Sequence, residues 1–183
     1  IGGFRLALDS FGAKCVFTSE WDKHSQDVYI KNFGDEPNGD ITKISEQDIP
    51  KHDFLFGGFP CQPFSISGKQ KGFDDTRGTL FFDIARIAKY HKPKVMVLEN
   101  VKNILTINGG ETLSTIKEVL EKELNYSVFI KLLKGNDFGV PQQRERVFFM
   151  CFHHSLKIAD FELSNPDFNK YSVRDILEIG RAH

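Results

Sequence analysis

The sequence lacks the features that mark several classes of protein. Its three cysteines are an odd number, with no CxxC pair and no histidine at metal-ligand spacing, which argues against a disulfide framework and against a zinc site. No apolar run is long enough to span a bilayer, and no basic and then apolar leader opens the chain. We therefore expect a soluble, cytoplasmic protein that holds no metal.

The sequence also lacks an excess of positive charge. Its 24 Lys and Arg against 25 Asp and Glu give a formal net charge of -1, so no overall field attracts nucleic acid or membrane. Any binding to DNA would need a local patch or a part of the protein outside this chain. The length of 183 residues and the 40% hydrophobic content are typical of a single globular domain.

Strand and helix patterns alternate along the chain. The predicted strands span residues 14–20, 53–59, 94–100, 126–134 and 145–152, and the predicted helices span 3–12, 21–33, 79–91 and 112–124. This alternation predicts an α/β fold with a doubly wound, Rossmann-like sheet that is mostly parallel. The last two strands, joined without a helix, should pair antiparallel near one end. A glycine turn opens the first helix directly, so we expect the first strand of the sheet to precede Ile1.

Cys61 stands apart from the other two cysteines. Cys15 and Cys151 lie in strand-like runs and are expected to be buried structural residues. Cys61 instead lies between Pro60 and Pro63, in the loop after a predicted strand. In doubly wound sheets, ligands bind beyond the carboxyl ends of the strands. Cys61 is therefore a candidate nucleophile at such a crevice.

Two carboxyl groups are predicted at the same edge of the sheet. Glu20 and Glu99 fall at the ends of two predicted strands, and Glu99 closes the otherwise apolar run KVMVLE. A carboxyl group in that position is expected to be partly desolvated, which favours its holding or sharing a proton. An ordinary strand-end glutamate in water is the alternative.

Two arginines precede the last predicted strand. Arg144 and Arg146 are one residue apart, so a strand would point both side chains to the same side, as a fork for a carboxylate or a phosphate. An exposed pair of charges at a sheet edge is the alternative.

Six short motifs, in order, decide among these possibilities. They are SEWD at 19–22, GDI at 39–41, PCQPFS at 60–65, RGTLFFDIARI at 77–87, ENV at 99–101 and QQRER at 142–146. Together they resemble the cytosine-C5 DNA methyltransferases of bacterial restriction–modification systems, and the resemblance extends to about residue 178. It implies the S-adenosylmethionine-dependent methyltransferase fold.

The resemblance implies a role for each candidate catalytic residue. Cys61 would add to C6 of a cytosine that is flipped out of duplex DNA, which makes C5 nucleophilic toward the methyl group of S-adenosylmethionine. Glu99 would hold or protonate ring N3. Arg146 would lie near the cytosine carbonyl, with Arg144 as its partner in the same motif.

The resemblance also implies a cofactor site and a DNA-binding loop. The positions that match the cofactor pocket are Gly3, Phe4, Glu20, Trp21, Asp40, Ile41, Pro60, Leu80 and Asn100. The loop at 64–79 would close over the flipped base, and its candidate DNA contacts are Ser65, Ser67, Lys69, Lys71 and Arg77.

Two regions and several partners follow from the same resemblance. Residues 1–155 would form the catalytic, cofactor-binding domain, with its N-terminal part missing, and 156–183 would begin the connection to a target-recognition domain that this chain lacks. The expected partners are double-stranded DNA and a complementing C-terminal chain, with no membrane. The alternatives are a tRNA cytosine-C5 methyltransferase and a non-catalytic subunit or fragment of a split methyltransferase.

Overall fold

The computed structural model describes residues 2–61 and 80–164, which are built around a four-stranded sheet. The strands are β1 (Phe54–Gly58), β2 (Val95–Val101), β3 (Tyr126–Lys134) and β4 (Glu145–His153), in the order β1-β2-β4-β3. β1 and β2 are parallel, whereas β4 is antiparallel to both of its neighbours. Three strands therefore point the same way, which confirms the predicted α/β class and the antiparallel pairing of the last two strands.

Four helices accompany the sheet: α1 (Gly3–Ser10), α2 (Lys23–Phe33), α3 (Leu80–His91) and α4 (Glu111–Glu118). α2 starts where the Asp22 carboxylate accepts a hydrogen bond from the Ser25 amide at 2.8 Å. It ends at Gly34, whose φ of 76° is the left-handed conformation that glycine adopts at helix ends. α4 continues as a π-helical turn, Val119–Glu123, that the sequence pattern did not distinguish from ordinary helix.

One face of the sheet carries most of the core. Alternate residues of β2 and β4 point to this face, because successive side chains of a strand point to opposite sides. α3 and α4 cover it, and the fully buried members of this cluster include Phe81, Ala85, Met96, Leu98, Ile116, Leu120, Val147, Phe149 and Cys151. On the opposite face, Phe4 of α1 lies 5.3 Å from the ring of Phe56 and 6.5 Å from that of Phe148.

The predicted strand at 14–20 is wrong, because this segment is extended but belongs to no sheet in the described residues. The Thr18 carbonyl of this segment accepts hydrogen bonds from the Asn38 amide at 2.8 Å and from the Asn38 side chain at 3.0 Å. A strand needs a neighbour with which to form a ladder, and no described strand lies beyond β1 on this side. Cys15 is consequently half-buried and not a buried strand residue, whereas Cys151 is buried in β4 as predicted.

Some predictions concern parts of the chain outside the described residues. These include Ile1, the loop at 64–79, and most of the connection predicted at 156–183. Among the helices of the described ranges, none has the length and apolar character needed to cross a bilayer.

Candidate active site

Cys61 lies just beyond the carboxyl end of β1. Two residues earlier, Phe59 is buried and its amide donates to the Glu99 carbonyl of β2 at 3.4 Å, which extends the β1–β2 ladder past the last strand residue. Cys61 itself is half-buried and packs against the edge of the core. The thiol is therefore held at the edge of the sheet while part of it stays accessible.

Asn100 fixes the backbone of this turn from inside the core. Its side chain is 1% exposed, and its amide nitrogen donates to the Phe59 carbonyl at 2.9 Å. Its side-chain oxygen accepts from the Val101 amide at 2.8 Å. A buried amide with both ends satisfied is geometrically specific, so Asn100 joins the end of β2 to the turn that carries Cys61.

Glu99 points to the other face of the sheet and meets the two arginines. Its Oε1 lies 2.8 Å from Arg146 Nε and 4.0 Å from Arg144 Nη2. Arg146 is opposite Val101 in the β2–β4 register, so the start of β4 lies beside the end of β2. The expected fork is therefore present, and its occupant within the chain is the Glu99 carboxylate.

A glycine makes room for this carboxylate. Gly58 is paired with Glu99 in the β1–β2 register, and a Cβ at Gly58 would lie 3.2 Å from Glu99 Oε2. That spacing is tighter than ordinary side-chain contacts allow. The glycine next to the turn therefore lets the carboxylate lie flat over the end of β1, on the same edge as Cys61.

A further ion-pair cluster borders the site. Glu145 lies between the two arginines in the sequence, and its carboxylate is 2.9 Å from Lys102 Nζ and 3.9 Å from Lys134 Nζ. The hydrogen bond from Lys102 holds the pKa of the Glu145 carboxyl below its usual value. The edge of the sheet at which β2 ends and β4 begins is thus rich in cations.

A cavity of about 800 Å³ opens between β1, α3 and the segment that leads into α2. Its lining includes these predicted cofactor residues: Phe4, Glu20, Trp21, Asp40, Ile41 and Leu80. The other predicted cofactor residues, Gly3, Pro60 and Asn100, are not among the lining residues. Gly3 starts α1, and Pro60 and Asn100 belong to the turn around Cys61.

The polar residues of the cavity are held by the local backbone. Glu20 accepts from the Asp22 amide at 2.9 Å, and its own carbonyl accepts from the side chain of Gln26. Hydrogen bonds from the Thr42 hydroxyl and amide, at 2.8 and 3.0 Å, hold the pKa of the Asp40 carboxyl below its usual value. Glu20 therefore reaches the cavity without the strand that the sequence predicted for it.

Two residues near these sites were not predicted. Asn103, in the 3-10 turn after β2, lies with its side-chain nitrogen 3.9 Å from Cys61 Sγ. Arg86 of α3 donates to the Ile41 carbonyl at 2.7 Å, behind the cavity wall. Asn103 is close to the ENV motif, and Arg86 lies within RGTLFFDIARI, but neither spacing indicated a contact. The predicted DNA contacts, Ser65 to Arg77, lie outside the described residues.

The sequence profile of the C-5 cytosine-specific DNA methylases matches residues 1–181. The chain belongs to this family. The membership confirms the resemblance of the six motifs.

Individual relatives agree with this assignment. The chain is 54% identical over 177 residues to the Type II methyltransferase M.HhaI of Haemophilus parahaemolyticus, covering 97% of this chain and 54% of the relative. It is 53% identical over 181 residues to M1.ScrFI of Lactococcus lactis subsp. cremoris, covering 97% and 46%. The chain therefore spans about half the length of the curated relatives it matches.

A solved structure supports the fold. A variant of DNMT2 from Spodoptera frugiperda superposes with a TM-score of 0.67 at 23% identity, over 90% of this chain and 50% of that one. At this identity, the likeness bears on the fold alone, and it agrees with the Rossmann-like sheet.

Proposed function

We propose that this chain supplies the catalytic and cofactor-binding part of a DNA cytosine-C5 methyltransferase of the restriction–modification type. The observation that carries the proposal is the arrangement at one edge of the sheet. Cys61 follows β1, Glu99 ends the parallel neighbour β2, and Arg146 contacts Glu99 at 2.8 Å. Family membership and the close Type II relatives support the same reaction.

The proposed role of Cys61 is that of a nucleophile. Its thiolate would add to C6 of the cytosine, forming an S–C6 bond while the ring electrons move toward N3 and C5. C5 would then gain carbanion character and bond to the methyl group as the S–CH3 bond of the sulfonium donor breaks and leaves a neutral thioether, and C5 would later lose its proton to a base. Breaking the S–C6 bond restores the ring and frees the thiolate.

Glu99, Arg146 and Arg144 would control charge on the ring. Glu99 would hold or protonate N3, which draws electrons out of the ring as sulfur adds. Arg146 would donate a hydrogen bond to the carbonyl oxygen of the base while it holds the Glu99 carboxylate in place, because its guanidinium has donors in several directions. The Arg144 side chain is 54% exposed and lies 4.0 Å from Glu99. It would turn toward a bound ligand.

The cavity fits an adenosyl cofactor. Its lining combines an aromatic side chain that is 75% exposed, Trp21, with the apolar Ile41 and Leu80 and the carboxylates of Glu20 and Asp40. Aromatic and apolar surfaces suit an adenine ring, and carboxylates suit ribose hydroxyls and an exocyclic amine. S-adenosylmethionine would supply an activated methyl group there. Phe4 would contact the cofactor directly, whereas Gly3, Pro60 and Asn100, which lie outside the lining, would act through the backbone at the start of α1 and in the turn around Cys61.

Duplex DNA is the proposed substrate, and the target base must leave the stack to reach Cys61. The 64–79 loop, with Ser65, Ser67, Lys69, Lys71 and Arg77, would contact the backbone near the flipped base. Residues 1–155 would form the catalytic domain, and 156–183 would lead toward a target-recognition domain.

A covalent trap tests the proposal. A duplex with 5-fluorocytosine at the target position stalls the reaction after methyl transfer, because fluorine cannot leave as the C5 proton does. We expect this chain, combined with the C-terminal half of M.HhaI and S-adenosylmethionine, to form an adduct that survives denaturing electrophoresis. Cys61→Ser should abolish the adduct, whereas Cys15→Ser, which changes another half-buried thiol, should retain it.

The negative outcomes discriminate between the alternatives. No adduct with or without the complementing half would favour a non-catalytic subunit. Transfer of labelled methyl to tRNA in preference to duplex DNA would show that the substrate is tRNA. The proposed role of Cys61 would be unchanged.

A further inference from the structure

Arg86 joins α3 to the backbone that forms one wall of the cavity. Ile41 lines this wall and starts the first of two 3-10 turns, Ile41–Lys43 and Glu46–Asp48, which we call the 41–48 segment. Arg86 Nη2 donates to the Ile41 carbonyl at 2.7 Å, and its Nη1 donates to Glu46 Oε2 at 2.8 Å. Its third contact is within α3, where Nε donates to Asp83 Oδ1 at 2.9 Å. One guanidinium thus holds both turns.

A second residue of α3 contacts the same segment. His91 Nε2 lies 2.7 Å from the Glu46 carbonyl, one helical turn and a half beyond Arg86. Glu46 is therefore held through its side chain by Arg86 and through its backbone by His91. The segment is fixed to the helix at both of its turns.

The same helix forms another wall of the cavity. Leu80, Ile84 and Ile87 of α3 line it, and Asp40 and Ile41 line it from the 41–48 side. Arg86 fixes the distance between these two walls, because its contact to Ile41 is with the backbone of a lining residue. An ion pair that served stability alone would not need that carbonyl, and only a forked guanidinium can reach it while still holding two carboxylates.

The Arg86 side chain is more shielded than the lysines that form ion pairs in the described residues. Its side chain is 26% exposed, against 73% for Lys122 in the i,i+4 pair with Glu118 on α4. Partly shielded, charge-assisted hydrogen bonds keep their geometry better than exposed pairs, which are weak and mobile. The contact with the 41–48 segment is therefore suited to holding a binding surface in place.

We propose that Arg86 is a positioning residue that sets the affinity of the cavity for the adenosyl cofactor and takes no part in methyl transfer. The inference rests on the proposed function for the identity of the ligand. Its structural part, that Arg86 holds the 41–48 segment in place, does not depend on that identity.

The first experiment measures cofactor use. Arg86→Met keeps the length of the aliphatic stem and removes all three contacts, whereas Arg86→Lys keeps a charge that can reach one partner at a time. With the complementing C-terminal half and duplex DNA, we expect the KM for S-adenosylmethionine to rise about tenfold or more in Arg86→Met, the loss expected from one or two hydrogen bonds. The kcat at saturating cofactor should stay within about twofold, and Arg86→Lys should be intermediate.

The control variant is Lys122→Met, which removes an exposed ion pair between the π-helical turn and α4 and does not change a lining residue of the cavity. It should change neither constant. Two results in Arg86→Met would overturn the positioning role. One is a fall in kcat as large as the rise in KM, and the other is an unchanged KM.

The second experiment does not use the cofactor. Amide hydrogen exchange of the 183-residue chain should become at least about tenfold faster at 41–49 in Arg86→Met, with β2 and β4 unchanged. Unchanged exchange at 41–49 would overturn the proposal, and faster exchange everywhere would show general destabilisation instead. If the wild-type chain bound no S-adenosylmethionine, the proposed function would fail, while this measurement would still decide the role of Arg86.

Discussion

At the scale of single residues, Glu99 and Asn100 show how one strand supplies two different environments. They are adjacent at the end of β2, so their side chains point to opposite faces. Glu99 faces the arginines, with its side chain 26% exposed, while Asn100 is enclosed in the core and holds the Phe59 carbonyl. The charged group is thus partly exposed beside the arginines, and the neutral amide next to it fixes the turn that carries Cys61.

Replacing Asn100 by alanine should loosen the turn that carries Cys61. The change leaves the Phe59 carbonyl and the Val101 amide without their partner, and each unsatisfied buried group costs about 1–3 kcal/mol. We expect a lower free energy of unfolding in urea and faster alkylation of Cys61 by iodoacetamide. Asn32→Ala, at an exposed position of α2, is the control and should stay within about 0.5 kcal/mol of wild type. Equal stability of the two variants would contradict this role for Asn100.

The two arginines should differ in their coupling to Glu99. A double-mutant cycle with Glu99→Gln and Arg146→Ala should give a coupling of about 1–3 kcal/mol in the free energy of unfolding, because the pair is close and partly shielded. The same cycle with Arg144→Ala should give less than about 0.5 kcal/mol, since Arg144 is half-exposed and 4.0 Å away. A larger coupling for Arg144 than for Arg146 would show that Arg144 is the main partner of Glu99 in solution.

At the scale of elements, the sequence predicted the positions of the strands and helices well. The strands β1 to β4 and the helices α2 and α3 match within about two residues, a usual uncertainty for element ends. Apolar periodicity marks the buried strands and α3, whereas the glycine stop at Gly34 marks the end of the mostly exposed α2. The segment at 14–20 has the same periodicity but no ladder partner, and pairing is a non-local property that periodicity does not contain.

In the candidate site too, local sequence patterns predicted some features but not the contacts between residues distant in the chain. The sequence predicted that Cys61 and Glu99 lie at the ends of strands, and period-two spacing predicted that Arg144 and Arg146 point to the same side. The contact of Arg86 with Ile41 joins residues that are 45 positions apart. No local pattern signals such a contact, so it needed the structure.

The ion pairs of Glu145, which join β2 to the β3–β4 hairpin and which we call the tether, should depend on pH. Lys102 follows β2, Lys134 ends β3, and both contact Glu145 at the start of β4. Because the folded-state pKa of Glu145 is lowered, the ion pair adds stability above the unfolded-state pKa, near 4.5, and loses it as the pH falls through the folded-state pKa. In Lys102→Met, the pKa of Glu145 should rise toward its usual value in a carbon-13 NMR titration.

The matched control for this titration is Lys134→Met, whose ammonium lies farther from the carboxylate and should shift the pKa of Glu145 less. The stability difference between wild type and Lys102→Met should also shrink as the pH falls through the lowered folded-state pKa of Glu145. An identical Glu145 titration in all three proteins would show that the tether is not formed in solution.

At the scale of the whole molecule, burial is uneven along the described residues. The sheet with α3 and α4 contains nearly all of the large buried side chains, whereas α1 has none and Tyr29 is the buried residue of α2. Tyr29 is held by polar contacts, to the Thr18 hydroxyl at 2.9 Å and to Arg5 at 3.1 Å. The N-terminal part therefore depends on hydrogen bonds and ion pairs for much of its order.

This imbalance predicts the order in which trypsin cuts the chain. Lys14 and Lys131 are both exposed, but Lys14 lies in an irregular segment and Lys131 in β3. Cleavage after Lys14 should come first, because local opening there exposes less buried surface. S-adenosylmethionine should slow that cut and leave the one after Lys131 unchanged. Simultaneous cleavage at the two lysines would mean that the chain opens as one cooperative unit.

The placement of β4 between β2 and β3 has a consequence for synthesis on the ribosome. Both flanking strands leave the exit tunnel before the strand that joins them, so nascent chains must hold two open sheet edges apart until residue 153 has emerged. Open strand edges are sites of misassociation. Translational pausing between Lys134 and Glu145 should therefore lower the yield of folded protein. A chaperone that binds the nascent chain during this interval should raise that yield.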